Sequence, residues 1–218
     1  PTAIEHGNLL SAMWNTWIIA FLSVIIIVVA GAMAAYPLAR KTSRRNRIIL
    51  TLIVGVMMVP QLSILVPLYK EMVSLKGINH LWGIVIVSAT FHLPMAIYMY
   101  SNFIKSIPKD LDEAAMIDGC SMMQSFFYVI LPCLKSTTVS VIILNGVGIW
   151  NDYQFQLYFL QKPAMRTITL AISTFFTDSK QDLGAAAAAA FIVVLPPVMA
   201  YIFLQKYFVK GAMDSAVK

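Results

Sequence analysis

The chain has 218 residues, of which 59% are hydrophobic and 12% charged, and a mean hydropathy of +0.76. A soluble globular domain carries roughly 25% charged residues, so this balance excludes one and points to lipid as the solvent. The net charge of +6 comes from basic residues scattered between apolar blocks; with no aromatic-interleaved basic patch, it speaks for membrane orientation and against nucleic-acid binding.

A membrane-crossing helix needs about 20 mostly apolar residues, because each backbone donor must be paired where water is absent. In chain order, Trp17 to Ala35, Ile48 to Tyr69, Leu81 to Ile104 and Leu183 to Gln205 contain no Asp, Glu, Lys or Arg. Each such residue would cost about 2.5–3.5 kcal/mol at a helix centre. A fifth span is expected over Ser136 to Asn151; it is short and must borrow length from Leu131 to Leu134 or from the aromatic run after Tyr153. Pro60 and Pro67 each remove a donor inside the second stretch and predict a kink or break there. Small residues from Ala185 to Ala190 predict close helix packing.

Loops rich in Lys and Arg stay cytoplasmic. One alternate set of connections carries eleven: Arg40, Lys41, Arg44, Arg45, Arg47, Lys105, Lys109, Lys135, Lys206, Lys210 and Lys218. The other carries five: Lys70, Lys76, Lys162, Arg166 and Lys180. The first set is therefore assigned to the cytoplasm. Five spans then put the ends on opposite sides, and a sixth helix upstream of Pro1 is expected to bring both ends to the cytoplasm. Lys162 to Gly184 is a long outer connection whose uncharged part, Thr167 to Thr177, is too short to span. It predicts a re-entrant or interfacial segment, with a short outer helix as the alternative.

The basic-side loop from Lys105 to Lys135 reads as two short helices with a break. Asp110 and Glu113 have capping-box spacing, with Asp112 adding charge near the positive helix end. Gly119 supplies a left-handed stop, Ser121 and Gln124 repeat the capping box, and Pro132 limits the second helix. Cys120 and Cys133 have no metal or redox spacing and read as two small apolar fillers, without a disulfide. His92, next to Pro94, reads as a hydrogen-bonded packing residue, with a proton relay as the sharper alternative. A sugar path needs hydrogen-bonding side chains beside an aromatic face, which Asn145, Trp150, Asn151 and Gln154 offer near the outer end of the fifth span. Helix packing is their competing reading. Gln61 and Ser63, beside Pro60, are weaker candidates.

Glu113, Ala114 and Ala115, then Gly119, then Val129, Ile130, Leu131 and Pro132 resemble the EAA motif of ABC-importer permeases, with Val129 where that family usually has isoleucine. Trp150 to Asp152, Thr167 to Leu170 and Gly184 to Lys218 extend the resemblance, and Gln205 to Gly211 is similar to the terminus of maltose-type carbohydrate permeases. The resemblance implies an all-α polytopic membrane protein with the type I ABC-importer permease fold, a single transmembrane domain over residues 1–218 in a bacterial cell membrane. It implies that Glu113, Ala114, Ala115, Asp118, Gly119 and Pro132 couple the chain to an ATPase. The implied partners are a second permease subunit, two cytoplasmic ATPases that hold ATP and Mg2+, and an extracytoplasmic sugar-binding protein. No catalytic residue, metal or cofactor is expected in this chain. None of its glycines precedes a lysine, so the phosphate-binding G-x-x-x-x-G-K-[ST] loop of an ATPase is missing. The apolar spans without carboxylates argue against a proton-coupled carrier, and no clustered constellation supports an intramembrane enzyme. An importer of a non-sugar substrate stays open, since the EAA motif carries no substrate information.

Overall fold

The computed structural model describes residues 8–177 and 183–216, which leaves Pro1, Lys180 and Lys218 outside the described residues. The first helix, α1 (Leu9–Arg40), continues through Pro37, which falls in its last turns. Ser43 caps α2 (Arg44–Val56), its hydroxyl accepting from the Asn46 amide. A 3-10 turn (Gln61–Ile64) leads into α3 (Leu65–Ser74), followed by α4 (Leu81–Ser106) and α5 (Asp110–Ile117). Next come α6 (Met122–Ser125), a π-turn (Phe126–Ile130), α7 (Leu131–Cys133) and α8 (Lys135–Trp150). Short helices α9 (Gln154–Phe159) and α10 (Ile168–Thr177) precede the long α11 (Leu183–Ala216).

Three helical segments are long and apolar enough to cross a membrane: Leu9–Arg40, Leu81–Ser106 and Ala186–Gln205. The second predicted stretch is not straight. Arg44–Val56 and Gln61–Ser74 meet at 92°, and Met122–Cys133 meets Lys135–Trp150 at 74°. Five crossings result only if each bent pair counts as one, and the fifth span does not borrow straight helix from Leu131 to Leu134. At the first bend, Met57, Met58 and Val59 donate to the carbonyls of Val54, Gly55 and Val56, tightening the helix to i→i−3 before Pro60 removes the next donor. Pro67 breaks nothing: it lies in the first turn of α3, where its missing N–H has no helical acceptor to lose.

Contacts group the chain into two compact units. The first unit contains Pro1–Val24, Gln61–Ala89 and Asn145–Phe203. Its core joins Leu9 and Ala12 of α1, Trp150 of α8, Ile168 and Ala171 of α10, and Ala189 and Val193 of α11. The buried Ala186 and Ala189 give the alanine run the packing face expected of small residues. Thr167 to Thr177 is a single packed helix, α10, rather than a re-entrant loop, because Ile168, Leu170 and Ala171 place one face in this core. The α3–α4 turn is tight enough that a Cβ on Gly83 would lie 2.2 Å from the Gly77 carbonyl oxygen. Asn79, at φ 60°, accepts through Oδ1 from the amides of Gln161 and Lys162 at 2.7 and 2.9 Å and fastens that turn to the end of α9.

The second unit contains Ile25–Pro60, Thr90–Leu144 and Leu204–Lys218. Here α1 and α4 approach closely, a Cβ on Gly31 falling 3.1 Å from that of Ala96, and Tyr100 donates to the Thr138 hydroxyl at 3.0 Å. His92 is half-buried in α4 and has an interaction partner. Neither cysteine is a core filler: Cys120 is half-buried and Cys133 is exposed, donating to the Val129 carbonyl oxygen at 3.2 Å; both are free.

Candidate functional site

The basic-side loop lies wholly in the second unit. Gly119 has φ +89° and closes a Schellman stop, with the Cys120 N–H donating to Ala115 O and the Gly119 N–H to Met116 O. Nothing lies within 4 Å of a Cβ placed on Gly119, so backbone conformation alone favours glycine there. Ser121 and Gln124 form the reciprocal capping box. Ahead of Pro132, the Leu131 N–H reaches back to Phe126 O in the wider π-turn, and the second helix ends at Cys133.

The capping box expected at Asp110 and Glu113 does not form. The N-cap of α5 is Lys109, with no side-chain hydrogen bond, and Asp110 is already helical. Asp112, expected to add surface charge at the helix start, is instead 5% exposed. One carboxylate oxygen lies 2.7 Å from Arg40 Nη2, an ion pair whose angles miss hydrogen-bond geometry. The other accepts from the Tyr36 hydroxyl at 2.5 Å and the Ser125 hydroxyl at 3.2 Å. Arg40 Nη1 donates to the carbonyl oxygens of Ile104 and Ile107 at 3.1 and 2.8 Å. One buried ion pair therefore fastens α5 to the end of α1, the end of α4 and α6. A buried charge needs this full complement, since losing one partner strands the other in low dielectric.

With Asp112 and Ala115 turned inward, α5 presents Asp110, Glu113, Ala114 and Ile117 on one exposed face at i, i+3, i+4 and i+7. Ala115 is part of the packing, whereas Ala114 and Glu113 are free to meet a partner. Asp118, Gly119 and Pro132 are also exposed. Sequence reasoning missed Ile117, which is 86% exposed at the end of this acidic face. Its signal was the i+4 spacing from Glu113.

The outer polar cluster belongs to the first unit and is largely satisfied internally. Trp150 is buried, stands edge-on to Trp17 with ring centroids 6.5 Å apart, and donates Nε1–H to Val193 O at 3.3 Å. Asn145 is buried and partnered. Asn151 is exposed but donates to Val147 O one turn back at 2.9 Å. Gln154 is exposed at the start of α9, and Gln61 and Ser63 are exposed in the 3-10 turn. Sequence reasoning overlooked Gln156, fully buried, which donates to Ile149 O and accepts from the Thr169 hydroxyl. Burial pushes the Asp152 carboxyl above the usual carboxylate range, with the amides of Phe155, Gln154 and Gln156 opposing that shift. Among the described residues no group of His, Cys, Asp and Glu is arranged to hold a metal.

Residues 27–213 match the family described as the binding-protein-dependent transport system inner membrane component. The chain is 39% identical over 217 residues to the melibiose/raffinose/stachyose import permease protein MelC of Bacillus subtilis, covering 99% of this chain and 79% of the relative. It is 33% identical over 217 residues to the probable starch degradation products transport system permease protein AmyC of Thermoanaerobacterium thermosulfurigenes, covering 100% and 79%. A crystal structure of a bacterial ABC transporter involved in import of the acidic polysaccharide alginate superposes with a TM-score of 0.78 at 20% identity, over 93% of this chain and 78% of that one, which shows a shared fold. The apolar helices, the loop between α4 and α8 and these matches lead to one conclusion: the chain is a multi-pass membrane protein belonging to the family of inner-membrane permease components of binding-protein-dependent transport systems.

Proposed function

We propose that this chain is the permease subunit of an ATP-driven oligosaccharide importer in a bacterial cell membrane, acting as a single transmembrane domain. The observation that carries the reading is the full-length likeness to a permease named for melibiose, raffinose and stachyose, at 39% identity. The chain pairs with a second permease subunit, two ATPases that bind ATP and Mg2+, and an extracytoplasmic sugar-binding protein. It needs no cofactor of its own. The α5 face of Glu113, Ala114 and Ile117, with Asp118, Gly119 and Pro132 around it, docks on an ATPase. Asp112 and Arg40 convert movement of that docked helix into rigid-body movement of α1 and α4. Exposed Asn151, Gln154 and Gln61 line the sugar path, and Asn145 and Trp150 hold its wall.

The test is uptake in a host lacking its own α-galactoside importers and expressing this chain with its partner subunits. Uptake of labelled raffinose, abolished by Glu113→Arg at unchanged membrane abundance, is the expected result. Uptake of an amino acid or inorganic ion with no response to any oligosaccharide would sink the sugar assignment while leaving the coupling assignment standing.

A further inference from the structure

The second unit also contains a cavity that coupling does not use. It measures 490 Å3 and lies among the end of α1, the face of α2 and the end of α4. Two helices line it in the same register. Arg47, Leu50, Thr51 and Val54 of α2 lie at i, i+3, i+4 and i+7, as do Tyr98, Ser101, Asn102 and Lys105 of α4. The cation stands in the first turn of α2 and in the last turn of α4, so Arg47 and Lys105 belong to the same basic-loop end, where Lys41 joins them. Leu50, Val54 and Tyr98 run about 10 Å away from that end and form the apolar depth of the cavity.

Three features tell what fits. No carboxylate lines the cavity, and the one ion pair among the described residues is Arg40 with Asp112, so Lys41, Arg47 and Lys105 are not neutralised by this chain. Ser101 is 1% exposed, lines the cavity and has a hydroxyl with no hydrogen-bond partner among the described residues. Such an orphan is rare in native structures. Finally, the Asn46 amide donates to the carbonyl oxygens of Pro37 and Lys41 at 2.9 and 3.0 Å, so the α1–α2 connection that bears Lys41 is built in place. A free phosphate would use the cations and leave the apolar depth unfilled. An acyl chain alone would leave the cations and Ser101 unmet.

We propose that this cavity binds an anionic glycerophospholipid of the leaflet on the basic-loop side, its phosphate held by Lys41, Arg47 and Lys105 and an acyl chain lying along Leu50, Val54 and Tyr98. Ser101 donates to a headgroup or ester oxygen. The inference rests on the orientation read from charge and not on the identity of the transported substrate. Basic pockets between membrane helices near the cytoplasmic surface bind anionic headgroups in this way, with the long Lys and Arg stems reaching to the interface.

The assembled transporter, delipidated in neutral detergent, is offered phosphatidylglycerol or phosphatidylcholine with matched chains, and retained lipid is read by native mass spectrometry. Phosphatidylglycerol is expected to be retained about tenfold over phosphatidylcholine. The K41Q/R47Q/K105Q variant should lose that preference. Val54→Trp keeps every charge and fills the apolar depth; it should lower phosphatidylglycerol retention about fivefold, the loss expected when an acyl chain is excluded. Millimolar glycerol phosphate should leave the bound lipid in place. Unchanged selective retention in both variants overturns the proposal. So does displacement by glycerol phosphate, which would make this a soluble-anion site, or a wild-type cavity that takes no lipid because a partner subunit's chain fills it.

Discussion

The basic-side loop and the outer polar cluster contain similar residue types and use them in opposite ways. In the loop, the charge of Asp112 is buried and shared among α1, α4 and α6, while the apolar Ile117 is left exposed. In the outer cluster the polar groups answer mostly to carbonyls within their own fold: Trp150 to Val193, Asn151 to Val147, Gln156 to Ile149. The first arrangement transmits force and advertises a partner surface. The second builds a wall. A polar residue near the end of a span is thus no guide to function until its hydrogen bonds are followed, because a satisfied side chain has little left to offer a ligand.

The comparison is broken most severely at Asp112. Asp112→Ala leaves Arg40 buried without its counter-charge, and the loop should lose about 3–5 kcal/mol. Hydrogen exchange across residues 110–125 should rise and the ATPases should cease to co-purify. The paired variant Arg40→Met with Asp112→Leu should recover much of the packing. Protection equal to wild type in Asp112→Ala would remove the pair from the mechanism.

Ile117→Ser changes no internal contact, so membrane abundance should hold while ATPase co-purification falls about tenfold, the effect of losing roughly 1.4 kcal/mol of interface energy. Gly119 separates backbone strain from crowding. With open space where a Cβ would stand and φ at +89°, Gly119→Val should cost about 1–2 kcal/mol through the left-handed backbone alone. Gly119→Asn should recover most sugar-stimulated ATP hydrolysis. Equal damage from both would show that a partner crowds this turn.

In the outer cluster the expected effects are smaller. Trp150→Phe removes one indole donor and should lower stability by about 1 kcal/mol with the apparent sugar KM unchanged, whereas Gln154→Ala should raise KM at unchanged Tm. The reverse split would exchange wall and path. Smallest is Asp152→Asn. Since burial raises the folded carboxyl pKa above its unfolded value, protonation favours the fold: the wild type is relatively more stable at low pH and loses that contribution as pH rises through the folded pKa. Asp152→Asn should therefore melt slightly higher than wild type at neutral pH, and the gap should close as the carboxyl protonates.

The crossings were legible because an absence of charge over a span is a one-dimensional property. Gly119 and the Ser121 box were legible because caps are local. Asp112 was not: between Asp110 and Glu113 it looks like one more dipole-complementing carboxylate, and only the approach of Arg40, from the first helix of the chain, makes it internal. Pro67 misled for a related reason, since a proline breaks a helix or begins one according to where the preceding turn has already ended. The bend ahead of it depended on the i→i−3 tightening at Met57 to Val59, which no single residue type announces. Gln156 was lost among aromatic neighbours whose pattern gave no hint of which face is enclosed.

The π-turn at Phe126–Ile130 gives this loop a fixed phase. A wide turn holds one residue more than the α-helix around it, and each residue of α-helix advances the chain by about 100°. Deleting a single residue between Phe126 and Ile130 would return the segment to ordinary helical winding and rotate everything after it, Pro132 and the start of α8 included, by more than a quarter turn. Insertions and deletions should therefore be rejected here even though Phe127 and Tyr128 lie on the surface, which makes this stretch a length constraint rather than a composition constraint.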